Sequence, residues 1–299
     1  MRTLTFFLFI TLFCSLANAQ QDSLLNDLLS DQPAVETYTG SAFKGSRLIN
    51  GHTVEIVGKN TLEFRVAHRF GDVKEGAETF WGLDDANMNL TFDYSLTNRL
   101  SIGIGRNSYQ KLYEGSLKYK LLKQTTNNSM PVTVTLLGKG NILTNTKGSA
   151  YEDPLNQLSY FAEVLIARKF NKSLSLQFSP SFIHINLAPI TFKSNDVFAL
   201  TGSGRYKFTK SAAVTAEFTQ TINDYYYKEL AAYIPTFSVG FDLETGGHVF
   251  QLFFTNAIGL NEVQYIPLTV SDWGRNEFRF GFNISRTFGI GKKRSKATY

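Results

Sequence analysis

The chain has 299 residues, 43% hydrophobic, 14% aromatic and 18% charged, with a formal net charge of +5. That balance excludes a typical nucleic-acid binder, which gathers Lys and Arg on one face or in runs; the one dense basic run is KKRSK, residues 292–296. A single cysteine, Cys14, excludes a disulfide framework.

Residues 1–19 read as a signal peptide: Arg2 is the positive n-region, LTFFLFITLF the apolar h-region, and Ala17-Asn18-Ala19 a small-x-small cleavage site. Cleavage after Ala19 removes Arg2 and leaves 29 basic against 25 acidic side chains, a net +4. Cys14 leaves with the peptide. It follows Phe13, without the small-residue context of a lipid-attached cysteine, so the mature chain is expected to hold no thiol. No later stretch approaches the roughly 20 apolar residues of a membrane-spanning helix. The exported classes that remain are a soluble protein and a β-barrel.

Residues 20–60 form an N-terminal periplasmic segment. DSLLNDLLSD puts Leu24, Leu25, Leu28 and Leu29 at helical spacing, and FKGSRLINGHTVEIVGKN follows. The main expectation is a mobile leader with one short helix. The sharper one is a plug, making its contacts through Arg47, Asn50, His52 and Glu55.

Between residues 61 and 289 the chain alternates apolar and polar side chains. In NMNLTFDYSLT, Met88, Leu90, Phe92, Tyr94 and Leu96 share one face, and Asn87, Asn89, Thr91, Asp93, Ser95 and Thr97 the other. Eleven further segments follow the same plan: 62–70, 99–105, 112–122, 131–137, 157–170, 173–185, 197–208, 212–220, 236–244, 248–257 and 277–289. The predicted fold is all-β, an antiparallel up-and-down transmembrane β-barrel of about twelve strands, with a basic tail over 290–299.

Connections support this reading, because membrane barrels have short turns on the periplasmic side and longer loops outside. Thr97-Asn98, Asn171-Lys172, Thr209-Lys210 and Thr245-Gly246-Gly247 are short, and KQTTNNSM is the exception among them. The others, such as GDVKEGAETFWGLDD, TINDYYYKELAA and GLNEVQYIPLTVSDWGR, are long and rich in aromatic and acidic residues. Trp81, Tyr94, Tyr225, Tyr226, Tyr227 and Trp273 are the candidates for interfacial aromatic girdles. A soluble β-sandwich is the alternative, but its water-facing side is usually rich in Lys and Glu, whereas many of these strands offer Ser, Thr, Asn and Gly.

The stretches FKGSRLINGHTVEI with LEFRVAHRFG, FDYSLTNRLSIGIGRN with YEGSLKYKLL, LIARKFNKSLSLQFSPSFIH, and GFDLETGGHVFQLFFTNA resemble an outer-membrane β-barrel family of Gram-negative bacteria, a domain of unknown function. The resemblance covers nearly all of the mature chain. It implies a barrel in the outer membrane and brings no activity, substrate or catalytic residue. One feature departs from outer-membrane barrels, which usually end on an aromatic residue: here EFRFGFNISRTFG is followed by IGKKRSKATY, so either Phe288 or Tyr299 closes the insertion signal.

No catalytic residue, cofactor or metal site is expected. His52, His68, His184 and His248 sit in no nucleophile motif. Asp84-Asp85 and Glu152-Asp153 lack the spacing of a Ca²⁺ cage, and GIGRN and FGIGKK lack the Lys-Ser/Thr ending of a phosphate loop. The polar face carries Glu63, Arg65, Arg69, Asp93, Glu114, Lys118, Lys120, Glu163, Glu217 and Arg279, all predicted to line the lumen.

Those charges give either a paired network that fills a narrow barrel or a hydrated passage. The leading functional expectation is a narrow channel or small-solute transporter. A closed structural or adhesive barrel acting through loops such as 223–230 is the alternative, and an outer-membrane enzyme a third. Expected partners are outer-membrane lipid and lipopolysaccharide, the barrel-insertion machinery and a small solute, with no nucleic acid.

Overall fold

A computed structural model describes residues 37–144, 151–230 and 233–290. The signal peptide, the Leu24–Leu29 stretch and the tail from 291 lie outside the described residues, as does almost all of the unit Met1–Tyr38. The second unit runs from Thr39 and contains the barrel.

Twelve strands make up that barrel: β1 (Thr61–Phe70), β2 (Ala86–Ser95), β3 (Leu100–Asn107), β4 (Leu112–Leu122), β5 (Thr133–Leu143), β6 (Leu158–Lys169), β7 (Leu174–Ile185), β8 (Asp196–Lys207), β9 (Ala212–Thr221), β10 (Thr236–Thr245), β11 (His248–Thr255) and β12 (Arg279–Gly289). Each pairs antiparallel with its sequence neighbours, and β1 pairs with β12 from Thr61↔Gly289 to Arg69↔Gly281, so the sheet closes. Closure leaves no free edge. Phe288 lies opposite Leu62 at the end of β12; Tyr299 is outside the described residues.

Local chemistry explains the short turns. The Asn171 Oδ1 accepts from the amides of Ser173 and Leu174, and the Thr209 and Thr97 hydroxyls each accept from the two amides beyond the turn. Gly246 and Gly247, with φ of +38° and +108°, close β10 onto β11. One connection and one strand end differ from expectation. The link between β3 and β4 is only Ser108–Lys111, and β5 extends to Leu143 rather than 137. Gly138 and Gly140 occupy the outer face of β5, so the apolar alternation fades there although the strand continues.

The outer wall is an apolar belt in which Phe92, Ile104, Leu117, Phe178, Phe241 and Leu252 are all exposed. Among the described residues no helix is long and apolar enough to cross a membrane. Inside, packing is tight at Gly281, where an added Cβ would lie 2.5 Å from Cε2 of Phe253 and 2.8 Å from the His68 carbonyl. The Phe253 ring in turn supports the Arg69 guanidinium, 4.2 Å from its centroid. Gly281→Val is therefore expected to cost about 1–3 kcal/mol by overpacking, read as a lower urea midpoint of the folded barrel. Gly202→Val is the control: its Cβ meets nothing within 4 Å, and the change is expected to stay within about 0.5 kcal/mol.

Candidate functional site

The inward faces of the twelve strands enclose a lumen that the chain fills itself. Residues 39–59, here called the finger, enter at the short-turn end, where the Thr39 amide donates to the Gln124 carbonyl (2.9 Å). They turn through Leu48–Gly51, closed by Leu48 N–H to the Gly51 carbonyl (3.1 Å), Thr53 N–H to the Ser46 carbonyl (2.9 Å) and a bridge between Arg47 and His52. They leave at the same end, where the Lys59 amide donates to Asn98 (3.1 Å) and β1 begins. The Gly51 turn is close against the wall: a Cβ there would sit 3.3 Å from the Glu217 carboxylate.

Apolar side chains of the finger, Phe43, Leu48, Ile49 and Val54, are buried, each burial contributing roughly 1.5–3 kcal/mol. They pack in one cluster with Leu137, Phe161, Leu165 and Ile183, which point inward from β5, β6 and β7. The lumen thus has an apolar side and a charged side.

On the charged side the wall reads the finger's backbone. Arg65, Arg69 and Asn283 all donate to the Ile49 carbonyl, at 3.3, 3.4 and 3.0 Å. Lys118 donates to the Glu55 carbonyl (2.7 Å) and the Ser46 carbonyl (3.2 Å). Gln177 accepts from the Val54 amide (2.9 Å) and donates to the His52 carbonyl (2.8 Å). Glu217 accepts from the amides of Asn50 and Gly51. These bonds satisfy backbone groups that no sheet ladder reaches.

From the opposite end a second element folds inward. The chain after β11 forms α1 (Glu262–Leu268), capped by the Asn261 side chain, which accepts from the Val263 amide. Glu262 is the meeting point: Arg47 Nη1 lies 2.8 Å from it, His52 Nε2 3.6 Å away, and Lys139 bridges it to Glu114. The second Arg47 nitrogen is 3.6 Å from Glu114. Two cations and two carboxylates, all buried, therefore tie the finger tip to the wall and to α1. Beside α1 a cavity remains, bordered by Leu112, Leu143, Gln157, Ile185 and Gln264.

The ten predicted lumen residues all point inward, and their tasks differ. Ser46 donates to Glu63, Lys120 pairs with Glu55 (3.1 Å), and Arg69 also holds the Asn50 amide oxygen (2.8 Å). Arg279 stands apart at the long-loop end, bonded to Ser271 (2.9 Å) and Asp72 (3.4 Å). Asp93 faces Gly103, whose missing side chain leaves room for its carboxylate. Among the described residues, one Glu163 carboxylate oxygen has no hydrogen-bond partner. Of the four finger residues singled out by the plug reading, Asn50 and Glu55 hydrogen-bond to the wall, Arg47 hydrogen-bonds to Glu262 of α1 and pairs with Glu114 of the wall, and His52 lies within the same network.

Sequence reasoning missed Lys139, Arg205, Asp242 and Glu262. Arg205 and Asp242, an ion pair at 3.3 Å, follow the alternation of β8 and β10 and were detectable from it. Lys139 lay beyond the expected end of β5, and Glu262 belongs to a segment that reads as an outer loop.

Two girdle candidates need correction. Tyr225 and Tyr226 are 1% and 8% exposed and do not face lipid. They pack with Phe192, and the Tyr225 hydroxyl donates to the Pro267 carbonyl (3.0 Å), so the acidic, aromatic loop folds onto α1. Burial, followed by the neighbouring Tyr233, pushes the Tyr225 phenol up. Tyr225→Phe is expected to cost about 1 kcal/mol, visible as faster hydrogen exchange at the Tyr227 amide, which donates to the Thr191 carbonyl in the adjoining loop. Trp81 and Tyr227 are exposed and Tyr94 half-buried, while Trp273 stacks on Phe278 and donates to the Phe237 carbonyl (3.1 Å). At the long-loop end the Lys74 ammonium, hydrogen-bonded to Glu277, holds that carboxyl below its usual range.

A closed antiparallel barrel with an apolar outer belt and a charged interior defines a membrane-bound β-barrel. Residues 43–288 match the family described as "Membrane bound beta barrel domain (DUF5777)", and the chain belongs to that family. The match begins at Phe43, so most of the finger lies inside the family's domain. Among solved structures, the chain is similar to the NanC porin (12% identity, 77% of this chain and 100% of that chain, TM-score 0.46) and to the KdgM porin (10%, 76% and 99%, 0.47). It is also similar to the COG4313 outer membrane channel from Pseudomonas putida F1 (14%, 79% and 98%, 0.46). No curated protein sequence matches the chain. At these identities the similarities assign no solute to it.

Proposed function

We propose that this chain is an outer-membrane channel for small solutes, closed by its own finger and opened when the finger withdraws toward the short-turn end. The observation that carries this reading is topological. The finger enters and leaves at one end and is held by side chains, not by the sheet ladder, so it can leave without breaking the barrel or threading through it. The charges it would uncover, Arg65, Arg69, Lys118 and Glu217 among them, would then set ionic preference. Outer-membrane lipid and lipopolysaccharide would meet the apolar belt, and the insertion machinery would read the last strand near Phe288.

Leu48→Cys tests the motion, because Leu48 is 1% exposed and the only native cysteine is Cys14. The expected result is slow but complete labelling by a water-soluble maleimide while the barrel keeps its folded gel mobility. Labelling only after the barrel unfolds would contradict the reading. The filled lumen favours one other reading, a permanently closed barrel that acts through its outer loops, and that reading predicts the second result.

A further inference from the structure

The two rims of the barrel carry opposite charge. At the short-turn end Arg99, Lys172 and Lys210 are exposed in the turns, and Arg168 and Arg286 project from the outward faces of β6 and β12. The carboxylates nearest that end, Glu55 and Glu244, are drawn to Lys120 and Arg205, and among the described residues no carboxylate is exposed there. The long-loop end is the reverse, with Glu75, Asp84, Asp85, Asp153, Asp224 and Glu229 all exposed.

The basic rim is also where the apolar belt ends. The Arg168 guanidinium lies 5.4 Å from the centroid of Phe170, and that of Arg286 lies 4.8 Å from the centroid of Phe288; both rings are exposed, as is Phe208 beyond β8. Exposed rings at strand ends are the arrangement found at a membrane–water interface, so each guanidinium stands at head-group depth. Arg286 is opposite Phe64 of β1 and His248 of β11. Arg168 donates to a neutral group, the Asn128 amide oxygen (3.3 Å), and among the described residues neither arginine pairs with a carboxylate.

We propose that this rim binds anionic phospholipids of the leaflet at the short-turn end, the periplasmic side of such barrels, with Arg168 and Arg286 holding the head-group phosphates and Lys172 and Lys210 adding attraction. A guanidinium takes two phosphate oxygens at once, and basic side chains at a membrane surface draw anionic lipid to them. Position selects a lipid over a water-borne polyanion: both arginines lie on the outer circumference against exposed rings, not across the barrel mouth. The acidic rim repels the same head groups. The binding does not depend on whether the finger moves.

The test is photo-crosslinking of the mature protein in phosphatidylcholine nanodiscs that contain either phosphatidylglycerol or phosphatidylcholine bearing the same head-group diazirine. The phosphatidylglycerol probe is expected to label the short-turn ends of β6, β7 and β12 about fivefold more than the phosphatidylcholine probe. Glycerol 3-phosphate in the buffer, at the bulk concentration of the probe, should leave that excess in place. Replacing Arg168, Lys172, Lys210 and Arg286 together by glutamine should abolish it, with folded gel mobility qualifying the variant. If that variant does not fold, Arg168→Gln and Arg286→Gln, each read at its own strand, decide. Arg106→Gln is the control, because Arg106 also lies over a ring, that of Tyr113, but at the other rim. Equal labelling by the two probes, an excess at the long-loop end, an excess retained in a folded variant, an equal fall in Arg106→Gln, or loss of label to glycerol 3-phosphate, the mark of a site for water-borne phosphate, would each overturn the proposal.

Discussion

Arg47→Ala is expected to release the finger. Arg47 is buried with Glu262 and Glu114 on either side, and removing it leaves Lys139, among the described residues, to pair with both buried carboxylates. Breaking a buried ion pair by deleting one partner costs about 3–5 kcal/mol, a factor of hundreds to thousands in an opening equilibrium at tenfold per 1.4 kcal/mol. Because the barrel ladder does not pass through the finger, the cost falls on docking rather than on barrel folding. Maleimide labelling at Leu48→Cys should accelerate at least a hundredfold, with the barrel's urea midpoint nearly unchanged. Arg47→Lys should lie between, since an ammonium cannot match the two-sided reach of a guanidinium. An unchanged labelling rate in Arg47→Ala would show that the apolar cluster around Leu48 and Ile49 holds the finger alone.

The second large effect belongs to the outer wall. Ile104 lies at the middle of β3 and is 68% exposed. In a membrane its surroundings are hydrocarbon, so Ile104→Arg should destabilise the barrel by about 2–4 kcal/mol, whereas the same change near the interface should cost about 0–1 kcal/mol. Phe208, exposed at the short-turn end just beyond β8, supplies that second position. Urea unfolding in lipid vesicles measures both. Equal small costs at the two sites would mean that the outer face meets water.

Much of this architecture was readable from the residues. Side-chain alternation with period two fixes which face of each strand is apolar, and Asn171, Thr209 and Thr97 bind the amides that make their turns tight, so strands and short turns are local properties. The ten inward charges follow from the same parity. What fills the lumen does not. Arg47 meets Glu262 across 215 positions, a contact that no local period encodes, and the α1 segment NEVQYIPL has the composition of an outer loop. The finger's apolar residues, Phe43, Leu48, Ile49 and Val54, show neither helical nor strand spacing because the lumen wall, not a local element, receives them. Tyr225 and Tyr226 misled for a related reason: interfacial composition is the same whether a tyrosine faces lipid or folds back over the barrel mouth.

Conductance in planar bilayers reads whether the finger closes a channel. Mature protein should show rare, brief openings, and protein lacking residues 39–58 should show sustained steps whose ion selectivity changes when Arg65 and Arg69 are both replaced by glutamine. Silence in the deleted form, with folded gel mobility intact, would contradict the account and identify a barrel that stays closed without its finger.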